Sequence, residues 1–380
     1  MAGDQHHEDW GYMKLRTAIC GNGKVGHFHA RALQELESSD FVAVAGHHEG
    51  RVSDFADQYG IEGYLNIATM VRQEKVDVVC ICTPHPTHRE LALQAIEAGA
   101  SVLIEKPLAM TSAECDDILH AAEAQGVQVG TIAQRRYYEP CMRMARAIEE
   151  GRIGTPMLGS VTMLGWRDRE YYESDAWRGT WEGEGGGVLV NQAPHQIDLL
   201  LWFMGEAQEV YGVWRNINHE YLEVEDTAVA TVKFSSGGVA TILVSNSQDP
   251  AIRGTVHVHG SNGGSIGVQT DGGQMFVAGV SSIAEAPYND MWTIRGEEDV
   301  VTRGRQEDEA KFFDVDPHYH FHMLQISDFI SSVSAGEVPF ASGIDGKKTV
   351  ELIEAIYTSS RTGKPVVLGA REEQRHALGI

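Results

Sequence analysis

The first third of the chain carries short unbroken apolar runs, each followed by a stretch of helical spacing. Residues 15–20, 41–45, 76–82, 101–104 and 127–130 read as strands buried on both faces, the signature of a parallel sheet. Between them, residues 29–36, 52–59, 68–74, 88–97 and 112–124 repeat their apolar positions with helical period. Strand and helix alternating at this interval predict an α/β doubly wound parallel sheet.

Beyond residue 132 the texture changes. A helix over 137–150 closes at Gly151, and half-buried alternating strands are expected at 158–163, 210–215, 228–234, 239–245 and 255–259. Residues 234–239 read as a hairpin turn, 190–204 as a helical connection, and 321–333 and 350–361 as closing helices, the last stopped by Gly363-Lys364-Pro365. Residues 262–316, rich in glycine and charge, give no clear period. These elements predict a second, α+β domain on an antiparallel sheet.

Composition narrows the function classes. At 380 residues the chain is long for one core and suits two domains. A net charge of -24 repels nucleic acid and anionic membranes, so neither is an expected partner. No apolar run nears the roughly 20 residues of a membrane span. The polar segment 1–12 lacks the features of a secretory signal and reads as a flexible arm. Five cysteines, Cys20, Cys80, Cys82, Cys115 and Cys141, form an odd set without disulfide spacing and point to a reducing cytoplasm. Cys80 and Cys82 sit inside a strand-like run, where they read as small buried apolar residues rather than metal ligands.

Candidate chemistry begins at the first strand. Gly21-Asn22-Gly23-Lys24-Val25-Gly26 ends it with the G-x-G-x-x-G spacing that receives a dinucleotide pyrophosphate. The first glycine permits the turn, the second lets backbone approach phosphate, and the third lets helix and strand pack. The helix start adds unpaired N–H groups. Some 20 residues on, where a carboxylate normally holds the ribose of NAD, stand Gly46, His47 and His48, with Glu49 and Arg51 behind. Nothing there rejects a 2′-phosphate, so NAD or NADP is expected.

Lys106 follows the strand at 101–104 and so faces the crevice at a sheet edge. Asn191, His195 and Asp198, spaced i, i+4 and i+7 after Gly185-Gly186-Gly187, would share one helix face. His195 suits the exchange of a hydroxyl proton; a packing histidine satisfied by Asp198 is the alternative. The triple glycine would let this helix approach a flat ring. Gln134, Arg136, Tyr137, Trp166, Arg167, Tyr171, Tyr172, Trp177, Arg178 and Trp181 supply aromatic faces and guanidinium heads that suit a polyol, and arginine also suits an anion. His318 and His322 lie one helical turn apart without a supporting ligand pattern, so no metal site is expected; Tyr319 or His320 is the better candidate for substrate contact.

The glycine turn, Thr83-Pro84 with His88, Glu105-Lys106-Pro107, and the segment 185–195 occur in an order and spacing that resemble the glucose-fructose oxidoreductase / inositol dehydrogenase / MocA (Gfo/Idh/MocA) family over nearly all of residues 14–368. The resemblance implies an N-terminal Rossmann domain, residues 13–134, and a C-terminal domain, residues 135–380. The latter would carry a large open, mainly antiparallel sheet serving substrate binding and homodimer or homotetramer formation. Helix 350–361 is expected to pack back on the first domain. Lys106 and His195 match the family's catalytic lysine and histidine. Asn191 stands where the family often has aspartate, and an amide can orient an oxygen but cannot relay a proton.

Thr83, Pro84, His88, Glu105, Lys106 and Gln134 join the glycine turn as expected cofactor contacts. The implied activity is hydride transfer between NAD(P) and a hydroxyl-bearing carbon of a sugar, cyclitol or sugar derivative, in the cytoplasm. Two alternatives stay open: NAD-dependent glycoside hydrolysis by transient oxidation, and a non-catalytic nucleotide-binding sensor.

Overall fold

Two sheets organise the chain, and the crevice between them is set by the order of strands in the first. The structure is a computed structural model that describes residues 14–270 and 286–369; the expected arm at 1–12 lies outside the described residues. The first half runs β1 (Leu15–Cys20), α1 (Lys24–Glu35), β2 (Ser39–Ala45), α2 (Glu49–Tyr59), β3 (Glu62–Tyr64), α3 (Ile67–Glu74), β4 (Val78–Ile81), α4 (His88–Glu97), β5 (Ser101–Ile104), α5 (Ser112–Gln125) and β6 (Val129–Thr131). All six strands are parallel, in the order β3-β2-β1-β4-β5-β6. Helices cover both faces, so β4 and β5 are buried at every position. The chain leaves β1 in one direction across the sheet and β4 in the other. This reversal opens a crevice at the carboxyl ends of those strands.

The second half continues with α6 (Glu139–Glu149), β7 (Pro156–Trp166), α7 (Arg169–Glu173), α8 (Trp181–Glu184), α9 (Val188–Asn191), α10 (Pro194–Met204), β8 (Ala207–Arg215), β9 (Thr227–Phe234), β10 (Val239–Ser245), β11 (Ser247–Gly260), β12 (Ser265–Gln269), β13 (Tyr288–Trp292), α11 (Val300–Phe313), α12 (Pro317–Ala335), α13 (Gly343–Thr362) and β14 (Val366–Val367). Its sheet runs β13-β12-β11-β7-β10-β9-β8-β14, and only the β7–β10 pair is parallel. Along β9, Ala228, Ala230, Val232 and Phe234 are buried while the residues between them face outward. That period of two is why these strands were visible in the sequence. The unreadable stretch holds β12, β13 and α11, and its residues 271–285 are outside the described set.

Helices near the C-terminal end tie the halves together. α12 lies along α1, and α13 packs on both α5 and β8. At Gly343 and Gly346 a Cβ would come within 2.6 Å of Val129 and 2.9 Å of Thr131, so this contact is backbone-close.

The helix expected over residues 190–204 is interrupted. α9 ends at Asn191, and Pro194 opens α10 at a position that needs no N–H. Asn191 and His195 therefore leave on different elements, not on one helix face.

Candidate active site

A cavity of about 1000 Å³ fills the crevice between the two sheets. One end is the glycine turn. Gly21 adopts φ +106, and a Cβ there would meet the Cys82 carbonyl oxygen at 2.6 Å; a Cβ on Gly26 would lie 2.3 Å from the Gly21 oxygen. Both glycines are thus required by packing, and Gly26 does not line the cavity. Gly23 differs: it is the N-cap of α1, offers no side-chain cap, and has nothing within 4 Å of its Cβ position. Asn22, Gly23, Lys24 and Val25 line the cavity around this helix start.

Two buried polar atoms on the wall, Asn22 Nδ2 and Gln134 Oε1, have no hydrogen-bond partner in the protein. A donor amide, an uncapped helix N-terminus and a glycine without a neighbour suit an anionic pyrophosphate, and the orphaned Gln134 oxygen suits an amide donor. These residues fit a dinucleotide. At the end of β2, His47 and Arg51 reach the wall while His48, the N-cap of α2, does not. Thr83 and Pro84 line the cavity. His88 stands behind them, its ring nitrogens 2.8 Å from the Thr83 and Pro107 carbonyl oxygens, joining the ends of β4 and β5.

Glu105 and Lys106 leave the end of β5. Glu105 is bonded to buried His29 of α1 at 2.9 Å. Burial alone would raise its carboxyl, but His29, His322 and Lys106 hold it at about 2. Lys106 Nζ donates to the Asn191 carbonyl oxygen at 2.8 Å and to Asn191 Oδ1 at 3.3 Å. Burial pushes its ammonium down to about 8, against the pull of Glu105 and Glu184. His195 lines the same wall. Burial, with the charges of Arg135, Lys106 and His322, holds its imidazole well below the usual range, so the ring is neutral at pH 7. The packing alternative for His195 is overturned, because Asp198 is held by Arg136, at 2.8 Å and 2.6 Å.

Asn191 is oriented by a residue the sequence did not single out. Its Nδ2 donates to Glu184 Oε1 and to the Tyr171 hydroxyl, which turns Oδ1 toward Lys106. Glu184 is 1% exposed and also accepts from the Gly179 N–H at 2.7 Å. A carboxylate therefore does stand behind position 191, supplied from α8. The Tyr171 hydroxyl further accepts from Gln192 Nε2 at 3.0 Å and Arg178 at 2.6 Å.

Several expected contacts lie elsewhere. Arg136 is buried against Asp198 and the Phe340 carbonyl, while its neighbour Arg135 lines the cavity. The two sit in a single 3₁₀ turn, Gln134–Tyr137, where consecutive side chains point roughly 120° apart. Tyr137 packs on Phe340. Trp166 leaves the outer side of the strand end and packs against His219 at a tilt, whereas Arg167, one residue on, turns inward. Tyr319 packs on α1, with its hydroxyl on Glu35 and its ring under Arg31. Tyr171, Trp177 and Arg178 line the cavity as expected, and so do His85, Arg135, Tyr138, Gln192 and His322, which were not among the predicted contacts. The triple glycine faces inward: Cβ atoms at Gly186 and Gly187 would collide with Tyr357 and the Glu225 carbonyl, so close packing, not approach to a ring, demands glycine there. All five cysteines are free. Among the described residues no group of three or more His, Cys, Asp or Glu is placed to hold a metal, and the His318 side chain lies outside them.

The family models for the NAD-binding Rossmann-fold oxidoreductase family and for the GFO/IDH/MocA C-terminal domain match residues 15–132 and 141–266. The chain is 25% identical to a myo-inositol 2-dehydrogenase of Thermotoga maritima, over 93% of this chain and 98% of that one. It is 25% identical to the NAD-dependent scyllo-inositol 2-dehydrogenase of Bacillus subtilis, over 94% and 97%. The WlbA dehydrogenase of Bordetella pertussis, solved with NADH and UDP-GlcNAcA, superposes with a TM-score of 0.82 at 24% identity, over 94% and 99%.

Proposed function

The chain belongs to the Gfo/Idh/MocA family of NAD-binding oxidoreductases, and from that membership we propose that it interconverts a hydroxyl-bearing carbon and a carbonyl on a sugar, cyclitol or sugar derivative. The observation that carries this reading is Lys106 bonded to Asn191 at the carboxyl end of β5, beside neutral His195, on the wall of a cavity whose other end is the glycine turn. The relatives' names point the same way, to inositol 2-dehydrogenases and a D-apiose dehydrogenase.

When bound, NAD supplies a hydride acceptor at nicotinamide C4. Asn22, the Gly23–Val25 backbone and the start of α1 hold its pyrophosphate, with Thr83, Pro84 and Gln134 along the wall. His47 and Arg51, with no carboxylate beside them at Gly46, leave room for the 2′-phosphate of NADP as well. His195 accepts the hydroxyl proton on a ring nitrogen. Lys106 keeps its charge: two of its three N–H groups go to Asn191, and the third is left for the reacting oxygen. Asn191 acts by aiming Lys106, so the family's carboxylate is not needed at that position. Neither glycoside hydrolysis nor a sensor role gains an observation of its own.

The outward face of the eight-stranded sheet exposes Leu158, Val229 and Val239 by nearly half each (47%, 48% and 47%). Exposed apolar side chains on one sheet face suit a second copy of the chain, and we infer a homodimer or homotetramer. Among the described residues no helix is long and apolar enough to cross a membrane; five free cysteines support a cytoplasmic location.

The test is a scan of sugars and cyclitols with added NAD or NADP, read as formation of reduced nicotinamide. Turnover of at least one is expected. No reduced nicotinamide, with free sugar released from a glycoside, would replace this reading by the redox-neutral hydrolase.

A further inference from the structure

Three guanidinium groups line the substrate side of the cavity in a chain whose net charge is -24. Arg167 and Arg178 gather on one phenol ring, their guanidinium carbons 5.1 Å and 4.4 Å from the Tyr171 centroid. Arg178 is the best defined. Its side chain is 6% exposed, Nε donates to Asp175 at 3.2 Å, and one N–H donates to the Tyr171 hydroxyl. A guanidinium has five N–H groups, so three of Arg178's are not used by these two bonds. Arg135 stands close enough to Lys106 and His195 that its charge adds to burial in lowering both.

Apart from His195, which the reaction itself uses, and the Gln134 oxygen assigned to the cofactor, the acceptors on this side are few and carry hydrogen bonds already. Glu105 is held by His29, Asp175 by Arg178, and the Tyr171 hydroxyl takes hydrogen bonds from Arg178, Asn191 and Gln192. A neutral polyol hydroxyl seeks both a donor and an acceptor, whereas a carboxylate or phosphate only accepts. A wall of donors therefore matches an anion, and the planar fork of arginine matches two oxygens on one centre.

We propose that the substrate bears an anionic group, carboxylate or phosphate, that is received by Arg178 with Arg167 and Arg135 beside the Lys106–Asn191 pair. The class of substrate is then a sugar acid or sugar phosphate rather than a neutral sugar or cyclitol. This deepens the dehydrogenase reading for the reaction itself, but the anion subsite is testable by binding alone.

The experiment titrates the protein–NADH complex with matched pairs, reading nicotinamide fluorescence. D-glucuronate is set against its methyl ester, D-galacturonate against its methyl ester, and D-glucose 6-phosphate against D-glucose. At least one anion is expected to bind 100-fold or more tightly than its neutral partner, weakening with added salt; which arm responds distinguishes carboxylate from phosphate. Arg178→Met should remove most of that preference, and Arg178→Lys should retain part of it. Both should leave the affinity for NADH within twofold, which reports that each variant is folded. Neutral partners binding as well as the anions in every pair, or Arg178→Met weakening both members equally, would overturn the proposal. Reduced nicotinamide formed from neutral polyols without anion preference would sink the subsite and leave the dehydrogenase standing. Anion preference without turnover of any polyol would do the reverse.

Discussion

The two ends of the cavity are built on different terms. The cofactor end is mostly backbone: a tight turn at Gly21, an uncapped helix start at Gly23 and the close contact at Gly26, all within six consecutive residues. The substrate end is mostly side chains, drawn from segments around residues 105, 135, 167, 178, 191, 195 and 322. Backbone recognition needs only a local conformation, so one short motif carries it. Side-chain recognition depends on which of two neighbours turns inward, and that is decided by elements far away in sequence. The contrast teaches where substitutions should hurt chemistry and where they should hurt folding.

The sharpest break comes at Lys106. Lys106→Ala should cut kcat/KM by about 10²- to 10⁴-fold, as loss of a proton-transfer or oxyanion partner does. The pH profile sharpens the point. In the proposed reaction Lys106 serves as the ammonium, which burial lowers to about 8; activity should then hold through neutrality and fall about tenfold per unit above roughly pH 8. His195 is neutral throughout, its titration lying well below 6.5, so no acid limb should appear near that value. A rate that climbs above pH 8 would mean that Lys106 works as the neutral base instead.

Arg136 carries the next largest effect, and on the other term of the comparison. Its buried, two-pronged pair with Asp198 makes Arg136→Ala cost about 3–5 kcal/mol, because a buried carboxylate loses its partner. Denaturant unfolding would measure it, and the protein that remains folded should keep its substrate KM. A KM rise with unchanged stability would restore Arg136 to the substrate wall.

Within the glycine turn, two single-methyl changes separate fold from function. Gly26→Ala pushes a Cβ to 2.3 Å from the Gly21 oxygen and should destabilise by about 1–3 kcal/mol, the usual cost of overpacking. Gly23→Ala meets no protein atom within 4 Å, so the unfolding midpoint should hold while the affinity for NAD drops by about tenfold or more, about 1.4 kcal/mol. Equal effects on stability from both would remove the distinction.

Legibility followed the same division. The parallel strands were visible because burial on both faces leaves runs such as Val78-Val79-Cys80-Ile81, and the β9 alternation was visible because only one face is covered. Short strands in the glycine-rich stretch, β12 and β13, lacked a period long enough to read. At the candidate site, Lys106, Asn191 and His195 were named and do stand on one wall, yet the one-helix geometry assigned to Asn191 and His195 was wrong at Pro194. Glu184 was missed because nothing local marks a carboxylate whose partner lies seven residues on, across two short helices. A weak signal existed: an acid directly before three glycines, with no basic neighbour to explain it.

By itself, the sequence determined the alternating strands and helices of the parallel sheet and the dinucleotide turn, because each depends on periodicity or on a conformation only glycine allows; Lys106, Asn191 and His195 were named from their residue types and a family resemblance, and they stand on one wall. The tertiary structure alone decided that Arg135 and not Arg136 faces the cavity, that Tyr319 serves the contact between the halves, and that Asn191 is aimed by Glu184. Those outcomes turn on which atoms compete for a buried donor or acceptor, and the competitors are brought together only when distant segments pack.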